Sequence, residues 1–188
     1  MDFLQALWLP ILLSAVAVFV VSSLVHMLLP IHKGDFAALP NEDKVLASLR
    51  SNGVGPGAYM FPHCDSMKAM GTPEMKAKLA QGPVGSLIVR GPDGVSMGKA
   101  LLQWFLFTVV VSAVVAVITW STQPYGADSH AVFHLVALVS FLAYALSNVT
   151  DSIWKGVPWG VTFKFMIDGF LYALATAAVF AWLWPAAA

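Results

Sequence analysis

The sequence predicts an all-α, polytopic membrane protein with four transmembrane helices and a small α+β region between the first two. Hydrophobic residues make up 59% of its 188 residues and charged residues 11%, well below the roughly 25% charged residues of a soluble domain. Lipid offers the backbone no hydrogen-bond partners, and the apolar segments lack the alternation of barrel strands, so we expect helices. The segments, each near the ~20 residues that cross a bilayer, are 3–29, 101–119, 131–148 and 163–184.

The first apolar segment is predicted to remain on the chain as transmembrane helix 1, over residues 1–30. Ala15-Val16-Ala17 is similar to a signal-peptide cleavage site. However, no Lys or Arg precedes the apolar run, and the run is longer than the roughly 7 to 15 residues of a signal-peptide core. We therefore expect a membrane helix and no cleavage.

Residues 31–98 form a long polar loop region with frequent Gly and Pro. Capping residues, Pro at a helix start and β-prone runs predict short elements here. These are helices over 41–50 and 72–81, strands over 58–61 and 86–89, and a turn at 91–94. The elements contain few apolar residues, so we expect them to pack on the membrane domain, which comprises helix 1 and residues 99–188.

Basic residues predict the orientation of the chain. Of the ten Lys and Arg residues, Lys155 and Lys164 lie between segments three and four, and the other eight lie between segments one and two. The positive-inside rule therefore places the loop 31–98 in the cytoplasm and both termini in the periplasm. The tryptophans fall near the predicted segment ends, as interfacial residues do. A single cysteine, Cys64, fits a reducing compartment.

Segment four has a face of small residues that predicts close helix packing. This small-residue face consists of Gly169, Ala173, Ala177 and Ala181. Asp168 lies beside it, about 6 Å deeper than Lys164 along the helix axis, and a pair between these two residues would reduce the cost of burying the carboxylate. Asp168 is interpreted either as an interfacial carboxylate that pairs locally or as part of a proton- or ion-binding site.

The predicted topology gathers titratable residues at the cytoplasmic ends of the helices, which makes this end the best candidate for a polar or ion site. The same concentration would arise simply because charges avoid the bilayer centre. The residues are His26, His32, Asp151, Lys155, Lys164 and Asp168, with Tyr172 one turn above Asp168.

Segment three carries a polar stripe at helical spacing. It can serve interhelical packing or line a path for protons or small solutes. The stripe consists of His130, His134, Ala137, Ser140, Tyr144, Ser147 and Asp151. Its two histidines lie at the periplasmic end, about 30 Å from His26 and His32, so we expect no haem bridged between the two pairs. A metal on His130 and His134 would need additional ligands such as Asp128.

The loop segment YMFPHCDSMKAM contains soft ligands suited to copper. The candidate ligands are Met60, His63, Cys64 and Met67, with Asp65 and Met70 nearby. Adjacent His and Cys residues are poorly placed for one ion, and methionines in loops usually pack. Copper binding, catalysis by Cys64 and a loop without cofactor therefore remain as alternatives, and the sequence requires no cofactor.

Two stretches carry a resemblance to a protein family. GPGAYMFP at 55–62, and DSIWKGVPWG at 151–160 followed by KFMIDGFLYALATAAVFAWLWP at 164–185, resemble bacterial inner-membrane proteins of this length for which no activity is known. The resemblance implies a bacterial inner membrane as the setting and no cofactor or residue role.

These patterns lead to one leading hypothesis and two alternatives. The chain has no G-x-x-x-x-G-K-[ST], G-x-G-x-x-G or H-E-x-x-H motif, and the nearly balanced charge of its loop argues against nucleic acid as a partner. The leading hypothesis is a non-enzymatic accessory or self-assembling subunit that acts through helix packing. The alternatives are a proton- or ion-coupled transporter or channel, and a membrane enzyme or metal-binding protein that uses the loop.

Overall fold

Four long helices form the protein in the computed structural model, which describes residues 3–91, 94 and 96–187. All four are long and apolar enough to cross a membrane, which confirms the predicted all-α polytopic fold. The elements are α1 (Phe3–Leu28), a 3-10 turn (Pro30–His32), α2 (Glu42–Ser51), β1 (Gly57–Phe61), α3 (Met67–Met70), α4 (Pro73–Gln81), β2 (Gly85–Val89), α5 (Met97–Thr122), α6 (Ser129–Tyr144), a 3-10 turn (Leu146–Asn148), α7 (Val149–Lys155) and α8 (Trp159–Leu183).

The helices form a bundle in which α1 packs on α5 and α8, and α6 packs on α8. We call the end that carries residues 29–96 and 156–158 the loop end, and the opposite end the terminal end. At the terminal end, Trp184 donates its indole N–H to the carbonyl of Pro124 at 3.0 Å. The core near that end is apolar and contains Leu7, Val115, Val132 and Phe180, all essentially inaccessible to solvent.

The closest helix contact is between α6 and α8 at Gly169. A Cβ atom on Gly169 would lie 2.6 Å from the carbonyl carbon and oxygen of Tyr144 and 2.7 Å from the Cα of Ala145. Gly169, Ala173 and Ala177 are buried and Ala181 is partly buried. The small-residue face therefore lies inside the bundle, where it lets another helix of the same chain approach.

The third membrane segment is not one uninterrupted helix, contrary to the prediction of a helix through residue 148. α6 ends at Tyr144, and a 3-10 turn separates it from α7. The side-chain amide of Asn148 donates to the carbonyls of Tyr144 at 2.9 Å and Ala145 at 3.1 Å. This side chain competes with backbone N–H groups for those acceptors, which favours a break in the helix.

The loop region contains the predicted helices and strands. β1 and β2 pair antiparallel, with Gly57 opposite Val89 and Phe61 opposite Gly85. The Thr72 hydroxyl caps α4 as expected, by accepting from the N–H of Met75. Asn41 precedes α2 in a left-handed conformation without a side-chain cap, so its expected capping role was wrong. The sequence analysis also missed α3.

The predicted turn at 91–94 includes Pro92 and Asp93, which lie outside the described residues. Side-chain contacts within the described residues connect the loop region to the bundle, including the 2.9 Å approach of His32 to Asp168. The Ser86 hydroxyl donates to the carbonyl of Lys155 at 3.4 Å, and Asp35 forms an ion pair with Lys164. The division of the chain into a loop region and a membrane domain stays a prediction.

Candidate metal site at the loop end

Three metal-binding side chains converge where α1 and α8 meet at the loop end. His26 lies in the last turn of α1, His32 in the following 3-10 turn, and Asp168 in α8. The Nε2 atoms of His32 and His26 lie 2.9 Å and 3.9 Å from the same Asp168 oxygen, Oδ2. One ligand atom from each residue lies within 4.8 Å of the others. We call these residues the three-ligand cluster.

The local chain path brings the two histidines together. Pro30 begins the 3-10 turn directly after α1 and brings His32 back against His26. The two imidazole rings stack with their planes 5° apart and their centroids separated by 4.6 Å. Phe165 of α8 covers them, at 5.1 Å from the His32 ring and 6.3 Å from the His26 ring.

The other nitrogen of each histidine is held by an oxygen atom that acts as an acceptor. His32 Nδ1 lies 2.6 Å from a carboxylate oxygen of Asp35, and His26 Nδ1 lies 3.1 Å from the carbonyl of Ser22. A hydrogen bond to these acceptors requires the proton to reside on Nδ1. In the neutral imidazole, Nε2 then carries a lone pair. Both Nε2 lone pairs are therefore available toward Asp168.

Two buried atoms of the cluster lie close together. They are His32 Nε2 and Asp168 Oδ2, which are 2.9 Å apart and form an ion pair when His32 is protonated, although neither atom has a hydrogen-bond partner of good geometry. Asp168 is 2% exposed, and a carboxylate buried beside neutral imidazoles has no positive charge to offset the cost of its burial. A positive charge among the three ligand atoms would remove that cost. Ligand atoms bonded to one ion at 2.0 to 2.1 Å lie about 2.9 Å apart at 90° and about 3.4 Å apart at a tetrahedral angle, so the separations of 2.9 Å and 3.9 Å lie on either side of the tetrahedral value.

Asp35 connects this cluster to the start of α8. Its side chain is 1% exposed, and its second carboxylate oxygen lies 2.5 Å from the ammonium of Lys164. Lys164 first and His32 second lower the pKa of the Asp35 carboxyl below its usual range. A lowered pKa stabilises the fold above the unfolded value of about 3.9, and this contribution is lost as the pH falls through the lowered pKa.

His26, His32, Lys164 and Asp168 were predicted from the sequence to lie at this end, but two of them were paired incorrectly. Lys164 contacts Asp35, whereas Asp168 faces the histidines, so the expected pair between Lys164 and Asp168 was wrong. Asp35 was missed. The available signal was its spacing of three residues from His32, which brings a carboxylate and an imidazole together when the chain turns.

A cavity of about 770 Å³ opens directly beside the three-ligand cluster. Residues from all four long helices line it, mostly with apolar and aromatic side chains. His26 and Asp168 belong to its wall, whereas His32 does not. We call it the main cavity. Its volume falls within the roughly 300 to 1,000 Å³ that is typical of small-molecule sites.

Trp104 connects the cavity wall to the cluster. Its indole N–H donates to the Ser22 hydroxyl at 2.9 Å, and the Ser22 carbonyl holds His26. The Trp104 ring also lies 5.8 Å from Tyr172 and 6.4 Å from Tyr144, measured between centroids. These aromatic contacts fix the wall that faces His26 and Asp168.

The remaining members of the predicted polar site lie nearby but outside the cluster. Asp151 pairs with Lys155 on α7 at 2.7 Å. Asp151 also lines a second cavity of about 420 Å³ together with Asp35. Tyr172 lines the main cavity.

The structure divides the polar stripe of segment three. Ser140 and Tyr144 are buried, whereas His130, His134 and Ser147 are exposed. The helix break after Tyr144 also interrupts the spacing that defined the stripe. A path for protons or small solutes along this stripe therefore stays a prediction. Of the residues named here, Ser140 and Tyr144 are the two that lie in the interior of the bundle.

The candidate ligands in the loop are exposed, except Cys64, which is partly buried. Met60 and Met67 are exposed, His63 contacts Asp65 at 3.2 Å, and the thiol of Cys64 donates to the carbonyl of Ser66. Within the described residues, the three-ligand cluster is the single group of three His, Cys, Asp or Glu residues close enough to share an ion. Copper binding by the loop stays a prediction.

The site cannot be assigned by similarity. The chain matches no protein-family model, and no curated protein or solved structure is significantly similar to it.

Proposed function

We propose that this membrane protein binds a divalent transition-metal ion through His26, His32 and Asp168 and uses it for chemistry in the main cavity. The observation that supports the proposal is the convergence of one possible ligand atom from each of three side chains; two of these atoms are buried and lie 2.9 Å apart without good hydrogen-bond geometry. The proposal develops the alternative of a membrane metal protein but places the metal in the bundle and not in the loop.

The donor set indicates the class of ion. Two imidazoles and one carboxylate are typical of catalytic zinc and of non-haem iron(II) sites. Three protein ligands leave at least one coordination position open, which a structural zinc site with four ligands does not. Asp35 and the Ser22 carbonyl orient the histidines as hydrogen-bonded acceptors commonly do around metal ligands. The open position would face the cavity, because His26 and Asp168 line its wall.

The direct test is the metal content of protein purified in mild detergent without chelators. We expect about one zinc or iron per chain, or stoichiometric uptake when the metal-free protein is titrated with Zn²⁺. His32→Ala and Asp168→Ala should each abolish stoichiometric binding because each removes one of three ligands.

His134→Ala is the matched control, because His134 is an exposed histidine on α6 outside the cluster. It should keep the full metal content. Circular dichroism establishes that each variant retains its helices. Wild-type protein that neither contains nor takes up a metal would contradict the proposal, as would a folded His32→Ala variant with undiminished binding.

A proton-coupled transporter is the second candidate, because the His32 and Asp168 pair could also share a proton. Proton transfer across the whole membrane would require a continuous polar path. Near the terminal end the interior is mainly apolar, with Leu7, Val132 and Phe180, and the hydroxyl of the buried Thr119 donates to the carbonyl of Val115 within α5. A mainly apolar interior favours a metal site that supports a reaction over a path that conducts protons across the membrane. The small-residue face packs against a helix of the same chain, so it gives little support to self-assembly with a second copy.

A further inference from the structure

The main cavity has the features of a binding site for an amphiphile. We propose that it binds a single apolar chain with a monoanionic oxygen head, of the long-chain carboxylate class, whose head contacts the metal ion. This inference rests on the proposed metal site and adds the class of ligand.

The net charge of the proposed metal site favours an anionic head group on the ligand. A divalent ion contributes two positive charges and Asp168 removes one, while Asp35 and Lys164 neutralise each other. The histidines are neutral when they bind a metal. One positive charge therefore remains, next to an apolar cavity in which charge interactions are stronger than in water. A monoanion neutralises it.

The side chains that line the main cavity favour an apolar chain as the rest of the ligand. Trp104, Phe107 and Tyr172 form an aromatic side, and Leu101 and Phe165 add further apolar surface. The polar lining groups include His26 and Asp168 at the metal end and Ser147 and Asn148 on the α6 side. Ligand sites commonly combine such apolar walls with a few polar groups that fix orientation.

Four side chains that line the cavity are also exposed, namely Met27, Met97, Leu101 and Phe107. Met27 and Met97 lie at the ends of α1 and α5 toward the loop end, and Leu101 and Phe107 follow within the first three turns of α5. In a helix that crosses the bilayer, exposed apolar side chains at these positions contact lipid chains, so we take this side as the entrance to the cavity. An amphiphile can thus enter sideways, with its head at the level of the interface and close to the cluster.

The test uses Co²⁺-loaded protein in nanodiscs of phosphatidylcholine. Cobalt content is measured first, and the protein is then titrated with palmitate, lysophosphatidylglycerol, hexadecanol or acetate. The readouts are binding of labelled amphiphile and the visible spectrum of the cobalt. We expect an anionic amphiphile to bind about tenfold or more tightly than hexadecanol, as one charge-assisted contact implies, and to change the cobalt spectrum. Acetate, which lacks a chain, should bind far more weakly.

The two anionic amphiphiles separate the possible sources of the head. Tighter binding of palmitate supports the proposed long-chain carboxylate, whereas tighter binding of lysophosphatidylglycerol overturns that assignment in favour of a phosphodiester headgroup. Equal binding of hexadecanol, or an unchanged cobalt spectrum, overturns the proposal of a monoanionic head.

Two variants test the location. Ala143→Phe fills the cavity, and Leu101→Trp blocks its exposed side without touching the core. Each should weaken amphiphile binding about tenfold or more while the cobalt content stays unchanged. Ala178→Phe, on the exposed face of α8, is the matched control and should bind normally.

Failure of the two proposals gives different results. Stoichiometric cobalt without preference for an anionic amphiphile overturns this inference and leaves the metal site standing. Absence of bound cobalt overturns the metal site, and with it the charge on which this inference depends.

Discussion

Asp35 lies outside the membrane helices, yet it contacts a residue of the candidate metal site. Its carboxylate accepts the Nδ1 proton of His32 with one oxygen and contacts Lys164 with the other. The first contact fixes the tautomer and ring orientation of His32, and the second attaches the loop to α8. Asp35 therefore acts on the metal only through His32, as a positioning residue.

Asp35→Asn should weaken metal binding without abolishing it. An amide is neutral, so it holds the imidazole less firmly and makes Nε2 a poorer donor. We expect metal affinity to fall about 10- to 100-fold, the usual effect of changing a residue that orients a ligand, with about one ion still bound at saturating Zn²⁺. Competition titration with a chelator of known affinity measures the change.

Asp43→Asn is the control for this prediction, because Asp43 is an exposed acidic residue in the first turn of α2. Its metal affinity should equal that of the wild type. Unchanged affinity in a folded Asp35→Asn variant would mean that His32 is held in place by stacking and packing alone.

At the level of single residues, the sequence predicted which residues belong to the candidate site better than it predicted which of them contact each other. The predicted topology placed His26, His32 and Asp168 at the same end of the bundle, as members of a polar or ion site, whereas metal ligands were proposed in the loop. Lys164 was paired with Asp168 because local helix spacing was the available guide. Its actual partner, Asp35, is 129 residues away in the chain, and a contact over that separation depends on the tertiary fold.

The packing of α6 on α8 depends on Gly169. Gly169→Ala should destabilise the bundle, because a Cβ would overlap the backbone of Tyr144 and Ala145, which has little freedom to move. Overpacking of this kind typically costs about 1 to 3 kcal/mol. Unfolding in increasing sodium dodecyl sulfate, followed by circular dichroism, gives the difference in unfolding free energy.

Gly160→Ala, in the first turn of the same helix, is the matched control. A Cβ at Gly160 would meet no atom within 4 Å, so this variant should be as stable as the wild type or slightly more stable. If both variants unfold at the same detergent fraction, the close approach of α6 and α8 is absent.

At the level of elements, the periodic patterns of the sequence predicted the membrane helices well. The local break in the third membrane segment was not predicted. Hydropathy predicted four membrane helices, and capping and turn residues predicted α4 to within one residue. The spacing of small residues identified the small-residue face. The same spacing suits packing against a helix of the same chain and against a helix of a second copy, so it does not distinguish the two. The break after Tyr144 was missed because it depends on the Asn148 amide and on neighbouring backbone, neither of which changes the apolar pattern.

The whole molecule is asymmetric along the bundle axis. The loop end carries the three-ligand cluster, the main cavity and all ten Lys and Arg residues. Near the middle, the hydroxyls of Ser14 and Ser112 hydrogen-bond between α1 and α5 at 2.9 Å. The terminal end has the apolar core around Leu7 and Phe180. The chemistry we propose is therefore confined to one side of the membrane.

The basic residues predict which side that is. Lys and Arg next to membrane segments stay in the cytoplasm, so we expect the loop end, and with it the metal site, to face the cytoplasm. Cys64 is the single cysteine and lies in the loop region. A membrane-impermeant maleimide should therefore label Cys64 after cell lysis but not in intact spheroplasts. Ala186→Cys in a Cys64→Ser background, at the exposed terminal end, should be labelled in intact spheroplasts. The reverse pattern would place the cluster on the periplasmic side, where the ion would be acquired from outside the cell.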